Sequence, residues 1–144
     1  RGKFTLDYIF DGSTLGKILL EPTKIYIETM AKISKNFDVT GFNNTGYGLK
    51  NLNRTSEKVE FRINNQIKPQ PIFDLMQKES KFSDEEMYKT FNMGMGFFVV
   101  CNQENADDIL QIAKDGQIVG DVLKSNKTIT VLEKNNKKTG FEGY

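Results

Sequence analysis

Residues 88–100 read YKTFNMGMGFFVV, which places two glycines directly in front of a run of bulky apolar residues. Gly94 and Gly96 forgo side-chain packing and raise the entropy cost of ordering the backbone, so backbone freedom or close approach must be needed there. The run that follows, residues 97–100, is aromatic and β-branched. It predicts a buried strand.

The segment in front of this strand has a purely structural interpretation. Asn92 or Gly94 takes the left-handed conformation and ends a helix, while Met93 and Met95 fill gaps in the core. This interpretation names no function.

The neighbouring segments carry clear local signals. SDEEMYKTF has Ser83 as an N-cap, acidic residues in the first turn and Glu86 three positions on, which predicts a helix running to about Phe91. Pro71 can occupy the first turn of a helix through IFDLMQKES. KVEFRI, residues 58–63, alternates apolar and charged side chains and predicts a half-buried strand.

The remaining segments complete a series of alternating strands and helices. In chain order, we expect an extended segment at 3–10, a short capped helix ended by Pro22, a strand at 24–27, a helix at 28–36, a strand, glycine loop and helix over 37–54, a helix at 105–115, strands at 117–123 and 128–133, and a frayed polar tail at 134–144.

This pattern predicts one α+β domain, residues 1–144, in which a mixed β-sheet is packed with helices. The strand-like stretches interleaved with amphipathic helices are 59–63, 97–101, 117–123 and 128–133. A length of 144 residues is close to the commonest size of a single domain.

Composition excludes several classes of function. The formal net charge of +1 provides no global field for nucleic acid or an anionic membrane, and no apolar run approaches the ~20 residues that span a bilayer. We therefore expect a cytoplasmic chain with neither kind of partner. Histidine is absent, which removes the usual general base and the His-dependent zinc sites. Cys101 ends an apolar strand and is read as a small buried hydrophobe rather than a nucleophile.

The glycine loop and helix TGYGLKNLNR, residues 45–54, is the candidate binding segment. Loop amides and the N-terminus of the following helix could hold a phosphate or carboxylate, with help from the side chains of Thr45, Asn51 and Arg54. The alternative is that Gly46 and Gly48 only make a tight connection and that the arginine is a solvated surface charge. The sequence lacks both the GxGxxG fingerprint and the GxxxxGK[ST] phosphate loop.

Several stretches, taken together and in order, resemble the C-terminal domain of the aminoimidazole ribonucleotide synthetase (phosphoribosylformylglycinamidine cyclo-ligase) family, over nearly the whole chain. The stretches that carry the resemblance are LGKILLEPTKIYIETM (15–30), TGYGLKNLNR (45–54), PQPIFDLMQKES (69–80), SDEEMYKTFNMGMGFFVV (83–100), NADDIL (105–110) and IVGDV (118–122).

The family pattern at the glycine loop is His-Ile-Thr-Gly-Gly-Gly followed by Asn and Arg in the helix. Asn43 and Asn44 stand at the His and Ile positions, and Tyr47 replaces the middle glycine. The resemblance implies these substrate- or phosphate-binding residues: Thr45, Gly46, Gly48, Asn51, Arg54 and Asn92. It implies no metal ligand in this chain. It also implies that residues 97–101 form a central strand at the domain cleft, with Asn92 presented toward the ligand.

The resemblance implies part of an enzyme. ATP would phosphorylate the formyl amide oxygen of formylglycinamidine ribonucleotide, the amidine nitrogen would attack the carbon, and phosphate would leave. ATP and Mg²⁺ would be held mainly by an N-terminal domain that precedes this one, so the fragment alone would bind neither. The expected partners are that domain, a small-molecule ribonucleotide substrate and a second copy in a homodimer. The alternative is a non-catalytic interaction domain of the superfamily, because DVTGF, residues 38–42, resembles a selenophosphate synthetase pattern.

Overall fold

The structure is a computed structural model that describes residues 3–143. The helices are α1 (Leu15–Leu19), α2 (Ile27–Asn36), α3 (Pro71–Ser80), α4 (Asp84–Thr90) and α5 (Ala106–Ile112), with 3-10 helices at Gly48–Asn53 and Gln103–Asn105. The strands are β1 (Ile9–Phe10), β2 (Ser13–Thr14), β3 (Val39–Asn43), β4 (Val59–Ile63), β5 (Phe97–Cys101), β6 (Gly120–Lys124), β7 (Ile129–Lys134) and β8 (Lys137–Glu142).

The predicted α+β class is confirmed, and the sheet is mixed. Its four strands lie in the order β6-β4-β7-β8, with β4 and β7 parallel and the other neighbours antiparallel. Two antiparallel ribbons, β1-β2 and β3-β5, stand apart from this sheet. The expectation of a central strand at 97–101 is wrong, because β5 pairs only with β3 among the described residues.

The strongest local signals gave the correct elements. Ser83 caps α4: its hydroxyl accepts from the backbone N–H of Glu86, whose carboxylate accepts from the backbone N–H of Ser83. Pro71 begins α3, as expected from its fixed φ. In β4 the alternating residues Phe61 and Ile63 are buried. Helix capping and the alternation of apolar and charged residues depend on a few neighbouring residues only. The elements that they predict are therefore not altered by contacts with distant parts of the chain.

Residues 24–27 do not form the predicted strand. Residues 24–26 have no regular structure, and Ile27 already belongs to α2. The aromatic ring of Tyr26 packs on Phe97 with ring centroids 5.3 Å apart, and the ammonium of Lys24 pairs with Asp115. Tyr26 therefore contributes side-chain packing onto β5 and not backbone pairing, while Ile25 and Ile27 are exposed.

The expectation of a frayed tail is also wrong. Residues 137–142 form β8, which pairs antiparallel with β7 through a turn at Asn135 and Asn136, both at positive φ. Asparagine tolerates this conformation, which a two-residue hairpin turn requires. Phe141 lies 3% exposed in the core, and its burial holds the strand on the sheet. Tyr144 lies outside the described residues.

Other boundaries differ by a few residues. The helix expected over residues 105–115 ends at Ile112, and the strand expected from residue 117 begins at Gly120. Gly116 follows the end of α5 and its amide bonds the carbonyl of Ala113.

The helix after the glycine loop is a 3-10 helix, and it lies at the centre of the molecule. It packs against α4, β7, β8 and β3. Leu49 and Leu52 are each 1% exposed and belong to the main core cluster. The 3-10 helix is therefore part of the core, whereas residues 45–47 in front of it are exposed.

The glycines of residues 88–100 are required for two different reasons. Gly94 has φ +85°, a left-handed conformation that glycine adopts without strain, and Met93 before it also lies in the left-handed region. The expectation that Asn92 or Gly94 ends the helix is wrong, because α4 ends at Thr90 and its C-cap, Phe91, is extended. At Gly96 an added Cβ would collide with the hydroxyl of Tyr26. Met93 and Met95 are both buried in the core, as expected.

Candidate functional site

The two glycine segments found in the sequence lie side by side. Strand β3 leads into the first and β5 leaves the second, and Asn43 stands opposite Phe97 in the ribbon. The backbone N–H of Asn44 donates to the carbonyl of Gly96 at 2.9 Å, and its side-chain Nδ2 donates to the carbonyl of Met95 at 2.7 Å. Asn44 is 1% exposed, so this link is a buried tie between the segments.

The side chain of Asn51 holds the glycine loop in place through hydrogen bonds to its backbone carbonyls. It is fully buried, and its Nδ2 donates to the carbonyls of Gly46 and Gly48, each at 2.8 Å. Its Oδ1 is buried and has no hydrogen-bond partner among the described residues. The amide nitrogen is therefore committed to the loop, and the oxygen is a buried acceptor without a donor among the described residues.

The amides of the glycine loop are partly used within the loop. The N–H of Gly48 donates to the carbonyl of Thr45 at 3.2 Å, and the N–H of Lys50 donates to the carbonyl of Tyr47 at 3.1 Å. These bonds give the loop a fixed shape and leave fewer donors for an anion than the sequence suggested.

Tyr47 has φ +73° and a side chain 66% exposed. Its bulk therefore points away from the core, and the backbone conformation is one that glycine adopts more readily.

Asn92 closes the turn in front of β5. Its Oδ1 accepts from the N–H of Gly94 at 3.1 Å, and its carbonyl accepts from the N–H of Met95 at 2.9 Å. The side-chain oxygen and the backbone carbonyl of Asn92 thus both stabilise the turn.

A cavity of about 390 Å³ lies beside the ribbon, between β3 and the end of the 3-10 helix. Among the candidate residues, Asn51 and Arg54 line it, whereas Thr45, Gly46, Gly48 and Asn92 do not. The complete lining is Thr40, Gly41, Phe42, Asn43, Asn51, Arg54, Thr55 and Ser56. Arg54 ends the 3-10 helix and brings a positive charge to the rim.

The sequence did not single out Thr40, Gly41, Thr55 and Ser56 as site residues. The polar residues after Arg54 look like an ordinary turn, and those of β3 look like strand residues. The available signal was Asn43, which departs from the family pattern at a position that lines the cavity.

The perturbed ionisable groups lie away from this cavity. Burial raises the pKa of the Cys101 thiol, which agrees with a structural cysteine. The pKa of Glu133 is lowered by its hydrogen bond from Lys138, at 2.7 Å on the four-stranded sheet. Among residues 3–143 no group of three His, Cys, Asp or Glu side chains could hold a metal ion. Across the same residues, no helix has the length and apolar character needed to span a bilayer.

Comparison with known proteins gives a family. Residues 3–133 match the model of the AIR synthase related protein, C-terminal domain. The chain is 36% identical over 143 residues to a phosphoribosylformylglycinamidine cyclo-ligase of Methanococcus maripaludis, covering 91% of this chain and 41% of that protein.

Two further relatives carry the same name. The protein of Methanosarcina acetivorans is 42% identical over 118 residues, covering 81% of this chain and 34% of the relative. The protein of Methanocaldococcus jannaschii is 35% identical over 135 residues, covering 92% of this chain and 38% of the relative. The chain thus spans between about a third and two fifths of the length of these relatives. Because the family model matches most of the chain, the chain belongs to the family of AIR synthase related protein C-terminal domains.

Proposed function

We propose that this chain is the C-terminal portion of an ATP-dependent cyclo-ligase, which converts formylglycinamidine ribonucleotide to aminoimidazole ribonucleotide in purine biosynthesis. The observation that carries the proposal is the match of residues 3–133 to the family model, together with relatives that bear the cyclo-ligase name. The chain supplies one wall of a substrate cleft, and an N-terminal domain supplies the other.

ATP supplies the phosphoryl group that activates the formyl amide oxygen, and Mg²⁺ neutralises the charge of its phosphates. The described residues of this chain do not fit a metal site of their own. The proposal therefore places ATP and Mg²⁺ on the N-terminal domain, and the isolated chain is expected to bind neither.

Within this chain the predicted site residues divide into two roles. Arg54 lines the cavity and interacts with the anionic part of the ribonucleotide, because a guanidinium can make two parallel hydrogen bonds to a phosphate. Asn51 and Asn92 position the loop and the turn through the hydrogen bonds described above. Thr45, Gly46 and Gly48 shape the loop that follows β3.

The departures from the family pattern do not favour an interaction domain. Tyr47 is exposed and does not line the cavity, so its bulk does not fill the space proposed for substrate. Asn43 lines the cavity with a polar side chain, which is compatible with a ligand.

The test is ADP formation by the longer protein that contains this domain. We expect ADP release that depends on formylglycinamidine ribonucleotide, and no turnover or ATP hydrolysis by residues 1–144 alone. ADP formation that does not depend on this substrate would refute the proposed reaction. Turnover by the isolated chain would refute the division between the two domains.

A further inference from the structure

Two aromatic rings are stacked on one face of the β3-β5 ribbon. Phe42 and Phe98 lie in the main core, so Gly41 and Phe97, which alternate with them along their strands, lie on the other face of the ribbon. The ring of Tyr26 packs on the ring of Phe97 there, with centroids 5.3 Å apart. These two rings, the ring stack, therefore cover the face of β3 that points away from the core.

Each ring of the stack fills the space that a side chain would need at one glycine. A Cβ at Gly96 would collide with the hydroxyl of Tyr26, and a Cβ at Gly41 would lie 2.9 Å from the ring of Phe97. Neither glycine has a positive φ. Close approach of the rings, and not the backbone conformation, therefore requires glycine at both positions.

The ring stack connects Tyr26 to the glycine loop and to the cavity. Its hydroxyl lies over Gly96, whose carbonyl accepts from the N–H of Asn44 at 2.9 Å, directly before the glycine loop. Its ring packs on Phe97, which contacts Gly41 in the wall of the cavity. Both routes consist of packed atoms within this domain, so a change at Tyr26 reaches β3 and the loop directly.

Tyr26 is held in this position by its own surroundings. It is the N-cap residue of α2, so the helix fixes its backbone. The ammonium of Lys24 lies 6.0 Å from the centroid of its ring and pairs with Asp115, which follows α5. The ring is therefore placed by the fold before any ligand binds.

We propose that Tyr26 is a positioning residue of the cavity, because its ring on Phe97 and its hydroxyl over Gly96 hold β3 and the start of the glycine loop in the arrangement that binds the ribonucleotide. This inference rests on the proposed function for the identity of the ligand. Tyr26 does not line the cavity, so it acts through β3 and not by contact with the substrate.

The test is a double-mutant cycle in the longer protein that contains this domain. Gly96→Ala adds the Cβ that collides with the hydroxyl of Tyr26 and displaces the ring. Tyr26→Phe removes this hydroxyl, after which the nearest ring carbon lies 3.2 Å from the added Cβ, a contact that a small shift relieves. Combining the two substitutions should therefore restore the packing that Gly96→Ala disturbs.

Two further variants complete the set. Tyr26→Ala removes one ring of the stack without adding an atom. Tyr8→Ala is the matched control, because Tyr8 also packs on a phenylalanine, Phe4, with centroids 4.4 Å apart, but lies before β1 and not on the β3-β5 ribbon.

Affinities for formylglycinamidine ribonucleotide and ATP are measured by calorimetry without turnover. We expect about fivefold weaker binding of the ribonucleotide by Gly96→Ala and by Tyr26→Ala, a size typical of coupling through packed residues. Tyr26→Phe, the double variant and Tyr8→Ala should bind it as the wild type does. The affinity for ATP should stay unchanged in all variants.

Hydrogen exchange of the Asn44 amide gives a readout that needs no ligand. We expect faster exchange in Gly96→Ala and Tyr26→Ala, because the bond from this amide to Gly96 is disturbed, and exchange at the wild-type rate in the double variant. Thermal melting checks that each variant folds, and Tyr26→Ala decides if Gly96→Ala does not fold.

Unchanged affinity for the ribonucleotide in the folded Gly96→Ala and Tyr26→Ala variants would overturn the inference. An equal loss of ATP affinity would also overturn it, because it would indicate a general loss of structure. A double variant that binds as weakly as Gly96→Ala would show that the collision with Tyr26 is not the cause. A wild type that binds no ribonucleotide would refute the proposed function, while the exchange of Asn44 would still decide whether Tyr26 holds the loop.

Discussion

Gly46 and Gly48 occupy the same loop but have different surroundings. Gly48 has φ +50°, and a Cβ there would collide with the carbonyl oxygen of Tyr88 on α4. At Gly46 nothing lies within 4 Å of an added Cβ, and its φ is not in the left-handed region. The close packing of the 3-10 helix on α4 therefore depends on one glycine of the pair.

We expect Gly48→Ala to lower the free energy of unfolding by about 3 kcal/mol, because backbone strain and overpacking add together. Gly46→Ala is the matched control and should change it by less than about 0.5 kcal/mol. Urea unfolding of the two variants measures the difference. Equal losses would show that the packing of this loop is not as described.

Arg54 is the charged side chain of the cavity lining. Arg54→Ala in the longer protein should weaken the binding of formylglycinamidine ribonucleotide by about 1.5 to 3 kcal/mol, the range for a hydrogen bond to a charged group. The melting temperature of the variant reports separately what Arg54 contributes within the fold. Calorimetric titration and thermal melting measure the two effects.

Arg62→Ala is the control for this arginine. Arg62 pairs with Glu60 and Glu133 on the four-stranded sheet, so its loss should leave substrate affinity unchanged. Unchanged affinity in Arg54→Ala would contradict an anion contact at the rim. A lowered melting temperature would instead indicate that Arg54 acts within the fold.

At the scale of elements, the N-terminus of α4 links stability to pH. The hydrogen bond from Gln77 lowers the pKa of Asp84, and Lys134 adds to the effect at 3.0 Å. A carboxyl whose folded-state pKa is depressed stabilises the fold above its unfolded pKa, and this contribution disappears as the pH falls through the folded-state pKa.

We therefore expect Asp84→Asn to be less stable than the wild type near neutral pH and to approach it in strong acid. Glu85→Gln, in the same helical turn, is the control for the interaction with the helix dipole. Urea unfolding across the acidic range gives both curves. A stability difference for Asp84→Asn that does not vary with pH would rule out this linkage.

Strand β8 holds the C-terminal residues on the sheet through the buried ring of Phe141. Phe141→Ala should lower the free energy of unfolding by about 3 to 5 kcal/mol, because it leaves a cavity in the core. Phe82→Ala is the control, since that ring is 40% exposed, and we expect a much smaller loss. Similar small effects in both variants would indicate that residues 137–142 do not pack as described.

At the scale of the whole molecule, the exposed apolar residues are concentrated near the N-terminus. Seven of them lie in residues 6–27 with exposures of 41% to 81%: Leu6, Tyr8, Ile9, Leu19, Leu20, Ile25 and Ile27. Large exposed apolar patches usually mark an interaction surface or an aggregation risk. Within residues 3–143 the β3-β5 ribbon pairs with no further strand, and unpaired strand edges also promote association.

We expect the isolated chain to self-associate, and sedimentation velocity over a range of concentrations measures this. Leu20→Lys with Ile25→Lys should shift the distribution toward monomer, because charge opposes burial of this surface. Val122→Lys, at an exposed position on β6, is the control and should have little effect. A wild-type chain that stays monomeric at high concentration would contradict the prediction.

The sequence by itself determined the elements whose signals are local. The capping box of Ser83 and Glu86, Pro71 at the first turn of α3 and the alternation in β4 each act over a few neighbouring residues. Distant parts of the chain cannot easily reverse such preferences. The same local patterns were sufficient to predict the α+β class.

Only the tertiary structure decided which polar or ambiguous segments are buried and which of them pair as strands. Phe141 makes β8 part of the sheet because a distant core can bury it, and Tyr26 packs on Phe97 instead of pairing as a strand. Asn51 is predicted as a ligand contact, but burial commits its nitrogen to the glycine loop and leaves its oxygen inside the protein without a donor among the described residues. Burial and pairing depend on partners far away in the chain, which the residues of one segment cannot specify.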